Sequence, residues 1–184
     1  MTRVAVVVGS VRPNRIGTSI AQWVVDQAST VEGVEAELVD IAAYDLPFFA
    51  EELPPMVGAP TNEAGAAFNQ ALQVFDAVVF VAPEYNYSIP GALKNAIDYL
   101  EPKALANKGV GLVGYSYSNG IRAVEHLKQI VTGFGGAVAS PQVYLSLNTD
   151  VADGAFAPAA YHDGEVPAMV QAVVARSEAL AALR

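Results

Sequence analysis

Three short segments hold most of the residues in this chain that could do chemistry. The first reads Gly9-Ser10-Val11-Arg12-Pro13-Asn14-Arg15-Ile16-Gly17-Thr18-Ser19 and gathers two of the chain's ten cationic side chains with the hydroxyls of Ser10, Thr18 and Ser19. Such a set ahead of a helix suits a phosphate, because a helix start offers unpaired N–H groups and the positive end of its dipole. An ordinary solvated loop capped by Asn14 or Thr18 would use the same residue types. The order fits neither GxxxxGK[ST] nor GxGxxG, which argues against a P-loop kinase or a conventional dinucleotide fold.

The second segment is Pro83-Glu84-Tyr85-Asn86-Tyr87-Ser88-Ile89-Pro90-Gly91-Ala92. Two tyrosines and an asparagine between a buried run and a helix start set flat apolar surfaces beside directional hydrogen-bonding groups, which suits a planar heteroaromatic ligand. Plugging of the sheet edge by Tyr85 and Tyr87, with Ser88 as a helix cap, is the plainer alternative. The third segment, Gly114-Tyr115-Ser116-Tyr117-Ser118-Asn119-Gly120-Ile121-Arg122, has small residues that let backbone approach a ring, and its consecutive amides could bond ring carbonyls. Alone it also reads as a strand-to-helix turn capped by Ser118 or Asn119.

The elements that must position these loops follow from periodicity. Val4–Val8, Ala77–Ala82 and Gly109–Gly114 are continuous apolar runs of the kind buried on both faces of a parallel sheet. Val34–Asp40 alternates as a further strand, and Ala137–Leu145 makes a fifth that Pro141 can break. Helical spacing is present from Ile16 to Val31, Ala64 to Phe75, Pro90 to Leu100, Ile121 to Val131 and Val166 to Leu183. Tyr44–Thr61, rich in proline, is expected as a long loop, a lid or a contact surface. Strands alternating with helices imply an α/β fold with a parallel sheet covered on both faces. Should the strand order be the flavodoxin-like 2-1-3-4-5, the three loops meet at the carboxyl ends of the first, third and fourth strands, where such sheets bind ligands.

Composition narrows the classes. At 184 residues, 53% of them hydrophobic, with no linker or repeat, the chain reads as one domain over 1–184 that buries about 70% of its unfolded surface. There are no cysteines, so zinc ribbons, iron-sulfur clusters, thiol catalysis and disulfides are excluded, and a cytoplasmic location is expected. A net charge of −9 argues against nucleic acid or an anionic membrane as partner. The apolar run ending at Gly9 is too short for a signal peptide, and glycines and Pro141 interrupt 129–149, so no targeting or spanning segment is expected.

On Gly9-Ser10-Val11-Arg12 and on Pro83 through Asp98, read against P-E-Y-N-x-S-x-P-G-x-L-K-N-A-I-D, the sequence resembles the flavodoxin-like NADPH-dependent FMN reductases, which include quinone, chromate and azo-dye reductases. The element order agrees along nearly the whole chain. The resemblance implies a three-layer flavodoxin-like sandwich with a five-stranded parallel sheet of order 2-1-3-4-5. It implies FMN, with its phosphate on Ser10, Arg12 and the turn Arg15, Ile16, Gly17, Thr18. The ring would lie against Pro83, Glu84, Tyr85, Asn86 and Tyr87, with Ser116, Tyr117, Ser118, Asn119 and Gly120 closing the other side. It further implies hydride transfer from NADPH or NADH through FMN to quinones or similar small acceptors by ping-pong kinetics, with no catalytic acid or base. A homodimer or homotetramer is implied as well. Asn119-Gly120 departs from the Gly-Gly pair of many relatives.

Two other classes compete. A non-catalytic flavodoxin-type electron carrier shares the fold, but its phosphate loop usually reads S/T-x-T-G-N-T. A serine hydrolase is suggested by Gly114-Tyr115-Ser116-Tyr117-Ser118 with Asp150 or Asp153 and His162, although serine stands where G-x-S-x-G ends in glycine. His126 has no partner at metal spacing. Glu51, Glu52, Asp40 and Asp45 read as solvated charge, and Leu46-Pro47-Phe48-Phe49 as core, subunit contact or substrate wall.

Overall fold

A computed structural model describes residues 1–184. Its frame is set by valine-rich strands whose alternate side chains enter two different cores. In β1 (Thr2–Val8), Val4, Val6 and Val8 point to one face and Ala5 and Val7 to the other, all five fully buried. The same split runs along β3 (Ala77–Pro83), where Val79 and Val81 oppose Val78 and Phe80. A strand buried on both faces has no polar side to alternate with, which is why these runs are continuous in the sequence.

The remaining elements are α1 (Gly17–Ala28), β2 (Val34–Asp40), α2 (Glu63–Gln73), α3 (Gly91–Asp98), β4 (Gly109–Ser116), α4 (Ile121–Gly133), β5 (Ala137–Val138), β6 (Val143–Ser146), β7 (Val151–Ala152), β8 (Ala155–Phe156) and α5 (Glu165–Ala179). Strands pair in parallel in the order β2-β1-β3-β4-β5, and β6 also pairs with β4. This is the flavodoxin-like order expected from the sequence. α1 and α5 cover one face through Ile20, Val24, Met169 and Val173; α2, α3 and α4 cover the other through Phe68, Leu72, Leu93, Ile97, Val124 and Leu127. Burying each such side chain contributes about 1.5–3 kcal/mol. No helix is long and apolar enough to cross a membrane.

One expected break and one departure from the sequence reading have plain causes. The fifth strand is two pieces, β5 and β6, separated at Ser140-Pro141, since proline has no N–H for the ladder. β7 and β8 form an antiparallel hairpin inside what reads as an irregular segment. Its turn is Asp153-Gly154, both at positive φ (51° and 78°), the dipeptide that a two-residue hairpin favours.

The charges read as solvated are partly structural. Asp40 pairs with Arg15 and accepts the Ala42 N–H (3.0 Å). Glu51 closes the 45–62 loop by accepting the N–H groups of Thr61 and Asn62, each at 2.9 Å. Within that loop Leu46 packs against the core and Phe49 meets the Tyr99 ring edge-on at 5.1 Å, while Phe48 stays 91% exposed.

Candidate functional site

The three loops leave the carboxyl ends of β1, β3 and β4 side by side, and one cavity of about 300 Å³ joins them. Arg12, Arg15 and Ile16 line it from the first loop, Pro83, Glu84 and Tyr85 from the second, and Ser116 and Tyr117 from the third. Ser10 lies fully buried behind this wall and shares a hydrogen bond with the Tyr85 hydroxyl at 2.8 Å. Gly17 and Thr18 open α1, with the Thr18 hydroxyl donating to the Arg15 carbonyl (3.1 Å). Asn86 and Tyr87 form the exposed tip of the second loop. Ser118, Asn119 and Gly120 complete the turn into α4. The residues expected at one site are therefore neighbours in space.

Charge is distributed unevenly there. Of ten cationic side chains, nine engage a carboxylate or a backbone carbonyl, and Arg12 alone does neither. Its guanidinium stands 5.8 Å from the centre of the Tyr85 ring. Arg15 pairs with Asp40, yet its Nε is buried with no hydrogen-bond partner. α1 begins without a side-chain cap, so its first-turn N–H groups point at the same region unsatisfied. A free guanidinium, an orphaned N–H and an uncapped helix start are the groups that anion binding uses.

The second and third loops are tied to each other. Tyr85 and Ser88 exchange backbone hydrogen bonds (2.9 and 3.1 Å) around Asn86 and Tyr87, which both adopt positive φ, 49° and 70°. Glu84 accepts from the Ser118 hydroxyl at 3.2 Å and from the Arg122 guanidinium at 2.5 Å. Burial pushes the Glu84 carboxyl up, but its bonds to Arg122 and Ser118 outweigh that and hold it below the usual value. The Ser116 hydroxyl accepts the N–H groups of Ser118 (3.0 Å) and Gly120 (2.8 Å), fixing the turn. Arg122 also lies over the Tyr87 ring, 4.3 Å from its centre.

Sequence reading missed four contributors. Tyr115 lines the cavity although it belongs to a strand, and only the alternation of β4 could have placed it on the α1 side. Arg122 was visible in the third segment, but not its reach back to Glu84. Leu147 and Asn148 brace that loop from beyond β6: the Leu147 N–H donates to the Ser116 carbonyl (3.0 Å) and the Asn148 side chain to that of Tyr117 (3.1 Å).

The hydrolase arrangement is absent. His162 is buried with one ring nitrogen on Asp150 (3.2 Å) and the other on Glu165 (2.6 Å), so neither is available to a serine. Asp150 also accepts the N–H groups of Ser146 and Ala159, which makes the cluster a structural clasp beneath the 146–150 turn. Larger cavities run along the 45–62 loop; that of about 710 Å³ between Leu46, Phe48 and Ala92 has one ionisable wall residue, Asp45.

The chain is 33% identical over 135 residues to an NAD(P)H-dependent FMN reductase of Nectria sp, covering 70% of this chain and 67% of the relative. It is 32% identical over 155 residues to a quinone reductase of Escherichia coli strain K12, covering 78% and 76%. The solved structure of FerB, a flavoenzyme NAD(P)H:(acceptor) oxidoreductase from Paracoccus denitrificans, superposes with a TM-score of 0.74 at 28% identity over 96% of this chain and 99% of that one. Residues 2–152 match the family described as NADPH-dependent FMN reductase, and the chain belongs to that family.

Proposed function

We propose that the cavity holds FMN with its phosphate over the first turn of α1 and its ring between the 83–87 and 116–120 turns, in an NAD(P)H-dependent reductase of quinones or similar small acceptors. Bound FMN supplies the redox chemistry, accepting hydride from a nicotinamide and passing electrons to the acceptor. The observation that carries the reading is Arg12, the one cation without a carboxylate or carbonyl partner, set beside an uncapped helix in a cavity that Tyr85 and Tyr117 flank.

The chain's own residues then position and polarise. Arg12, the Arg15 Nε–H, the Ser10 hydroxyl and the N–H groups at Ile16, Gly17 and Thr18 hold the phosphate. Pro83, Glu84, Tyr85, Asn86 and Tyr87 support one side of the ring, and Ser116, Tyr117, Ser118, Asn119 and Gly120 the other. The N–H groups of Asn86 and Tyr87, which no protein acceptor engages, would stabilise the charge that a reduced ring gains. No side chain is assigned as acid or base, because holding donor and acceptor at reactive distance is the principal task. Donor and acceptor use the same open face in turn, which gives ping-pong kinetics.

The same reading makes the protein a cytoplasmic homodimer or homotetramer, supported by the exposed Phe48, Leu53 and Met56 on the 45–62 loop. An absorbance spectrum of the purified protein tests the main claim. Flavin bands should bleach on adding NADPH and return on adding a quinone, with no second protein present. A colourless protein that FMN does not reconstitute would defeat it.

A further inference from the structure

Tyr115 is the buried member of the cavity wall that the three-loop scheme leaves without a task. It stands near the end of β4, in register with Pro83 on one side and Leu145 on the other, and is 4% exposed. Its side chain points to the α1 face, and its hydroxyl lies directly against Gly17, the first residue of that helix. A methyl group built on Gly17 would overlap the hydroxyl oxygen and stand 3.2 Å from Cζ. Glycine at the helix start is thus what admits the phenol to the anion site.

The neighbours of this hydroxyl are donors. Arg12 and Arg15 line the same cavity, and the Ser10 hydroxyl is engaged with Tyr85. Burial, followed by the nearby Tyr85, pushes the Tyr115 phenol well above its ordinary value, against the pull of Arg15, Ser10 and Arg12. Such a phenol keeps its proton throughout the physiological range and can only be useful to an acceptor as a donor.

We propose that the Tyr115 hydroxyl is a direct ligand of the FMN phosphate and makes the site select FMN over the unphosphorylated flavin. This rests on the FMN reading above. Selectivity follows because riboflavin would leave the buried hydroxyl, the Arg12 guanidinium and the Arg15 Nε–H facing the cavity with no anion to bond, and sites built for a polar group discriminate strongly against ligands that lack it.

The test compares the affinities of the apoprotein for FMN and for riboflavin, in wild type and in Tyr115→Phe, which keeps the ring and removes only the oxygen. FMN affinity should fall about tenfold or more, as for loss of one bond to a charged acceptor, while riboflavin affinity changes less than about twofold. Equal losses for both flavins, or no loss for FMN, would overturn the assignment. Wild-type protein that binds neither flavin would instead bring down the FMN reading, and this inference with it. A measurement on the unmodified chain guards against a variant that does not fold: the Tyr115 ¹³Cζ resonance should shift with FMN and not with riboflavin, and the same position with both flavins contradicts the proposal.

Discussion

The carboxylate of Glu84, one residue beyond β3, receives both the backbone N–H (3.1 Å) and the guanidinium (2.5 Å) of Arg122 in the first turn of α4. Gly120 offers α4 no side-chain cap, so Glu84 performs that duty from another loop and fixes two walls of the cavity to each other. Arg122→Ala should cost about 1–2 kcal/mol, since Arg122 is 44% exposed but its partner only 6%. The pH dependence has a definite sign. With its folded value lowered, Glu84 contributes stability that is present above its ordinary value near 4.5 and lost as pH falls through the folded one. Urea unfolding from pH 7 down to pH 3 should therefore show the gap between wild type and variant closing. A gap that stays constant would mean the ion pair contributes nothing.

Arg12 separates binding from folding. Its guanidinium makes no hydrogen bond within the protein, so Arg12→Ala should leave the melting temperature within a degree or two. FMN affinity should drop about 10- to 100-fold, the loss of one or two bonds to a dianion. Riboflavin titration supplies the control. If FMN binds the variant as tightly as wild type, the phosphate lies elsewhere.

Gly17 and Tyr115 should behave as a coupled pair. Alanine for glycine within a helix ordinarily gains about 0.5–1 kcal/mol. Here the new methyl meets the phenol oxygen, and overpacking of this kind costs about 1–3 kcal/mol. Removing that oxygen in the double variant Gly17→Ala/Tyr115→Phe leaves Cζ at 3.2 Å as the nearest atom and should recover about 1 kcal/mol or more. A thermal-melt double-mutant cycle measures it. Additive effects would show that the contact is not a constraint.

These relationships bear on what a reader of the sequence could see. The valine runs of β1 and β3 and the helical spacing after each were enough for a parallel sheet covered on both faces, while its order, 2-1-3-4-5, came with the resemblance to the flavodoxin-like reductases. Arg12 and the Tyr85 loop were visible as residue types at strand ends. Contacts between segments distant in the chain were not: nothing local ties Glu84 to Arg122, Arg15 to Asp40, or Tyr115 to Gly17. The β7–β8 hairpin was within reach, since Asp153-Gly154 is a strong turn signal, but strands of two residues leave no alternation to read.

Lys108 gives an alkaline signature. Just before β4, its ammonium is buried against the carbonyls of Leu72 (3.1 Å) and Gln73 (3.2 Å) at the end of α2. Burial, aided by Arg184 and opposed by Asp76, pushes it down to about 8. Between that value and its ordinary 10.5 the unfolded chain still holds the proton that the folded one has released, so stability rises with pH, by at most about 1.4 kcal/mol per unit. The buried phenols of Tyr99 and Tyr115 act oppositely once unfolded tyrosines ionise near 10, which confines the window to about pH 8–10. The rise should vanish in Lys108→Met. Parallel pH profiles for the two proteins would refute it.

Tyr87 is held in a backbone conformation that its side chain disfavours. With Asn86 it forms a two-residue turn at positive φ, where glycine is the usual second residue and a bulky side chain costs about 1–2 kcal/mol. Stacking of Arg122 on its ring returns about 0.5–1 kcal/mol, too little to explain the choice by stability alone. A strained residue retained beside a binding cavity is accounted for if its flat face is used there, which the ring-binding role supplies. Tyr87→Gly should therefore leave the protein as stable as wild type or up to about 1 kcal/mol more so, while weakening FMN and riboflavin several-fold alike, because the lost surface faces the ring and not the phosphate. Calorimetric melting and titration with both flavins check the two halves separately. A variant that binds flavin normally would show that Tyr87 serves only the turn, and one that loses stability would show that the Arg122 stack outweighs the strain.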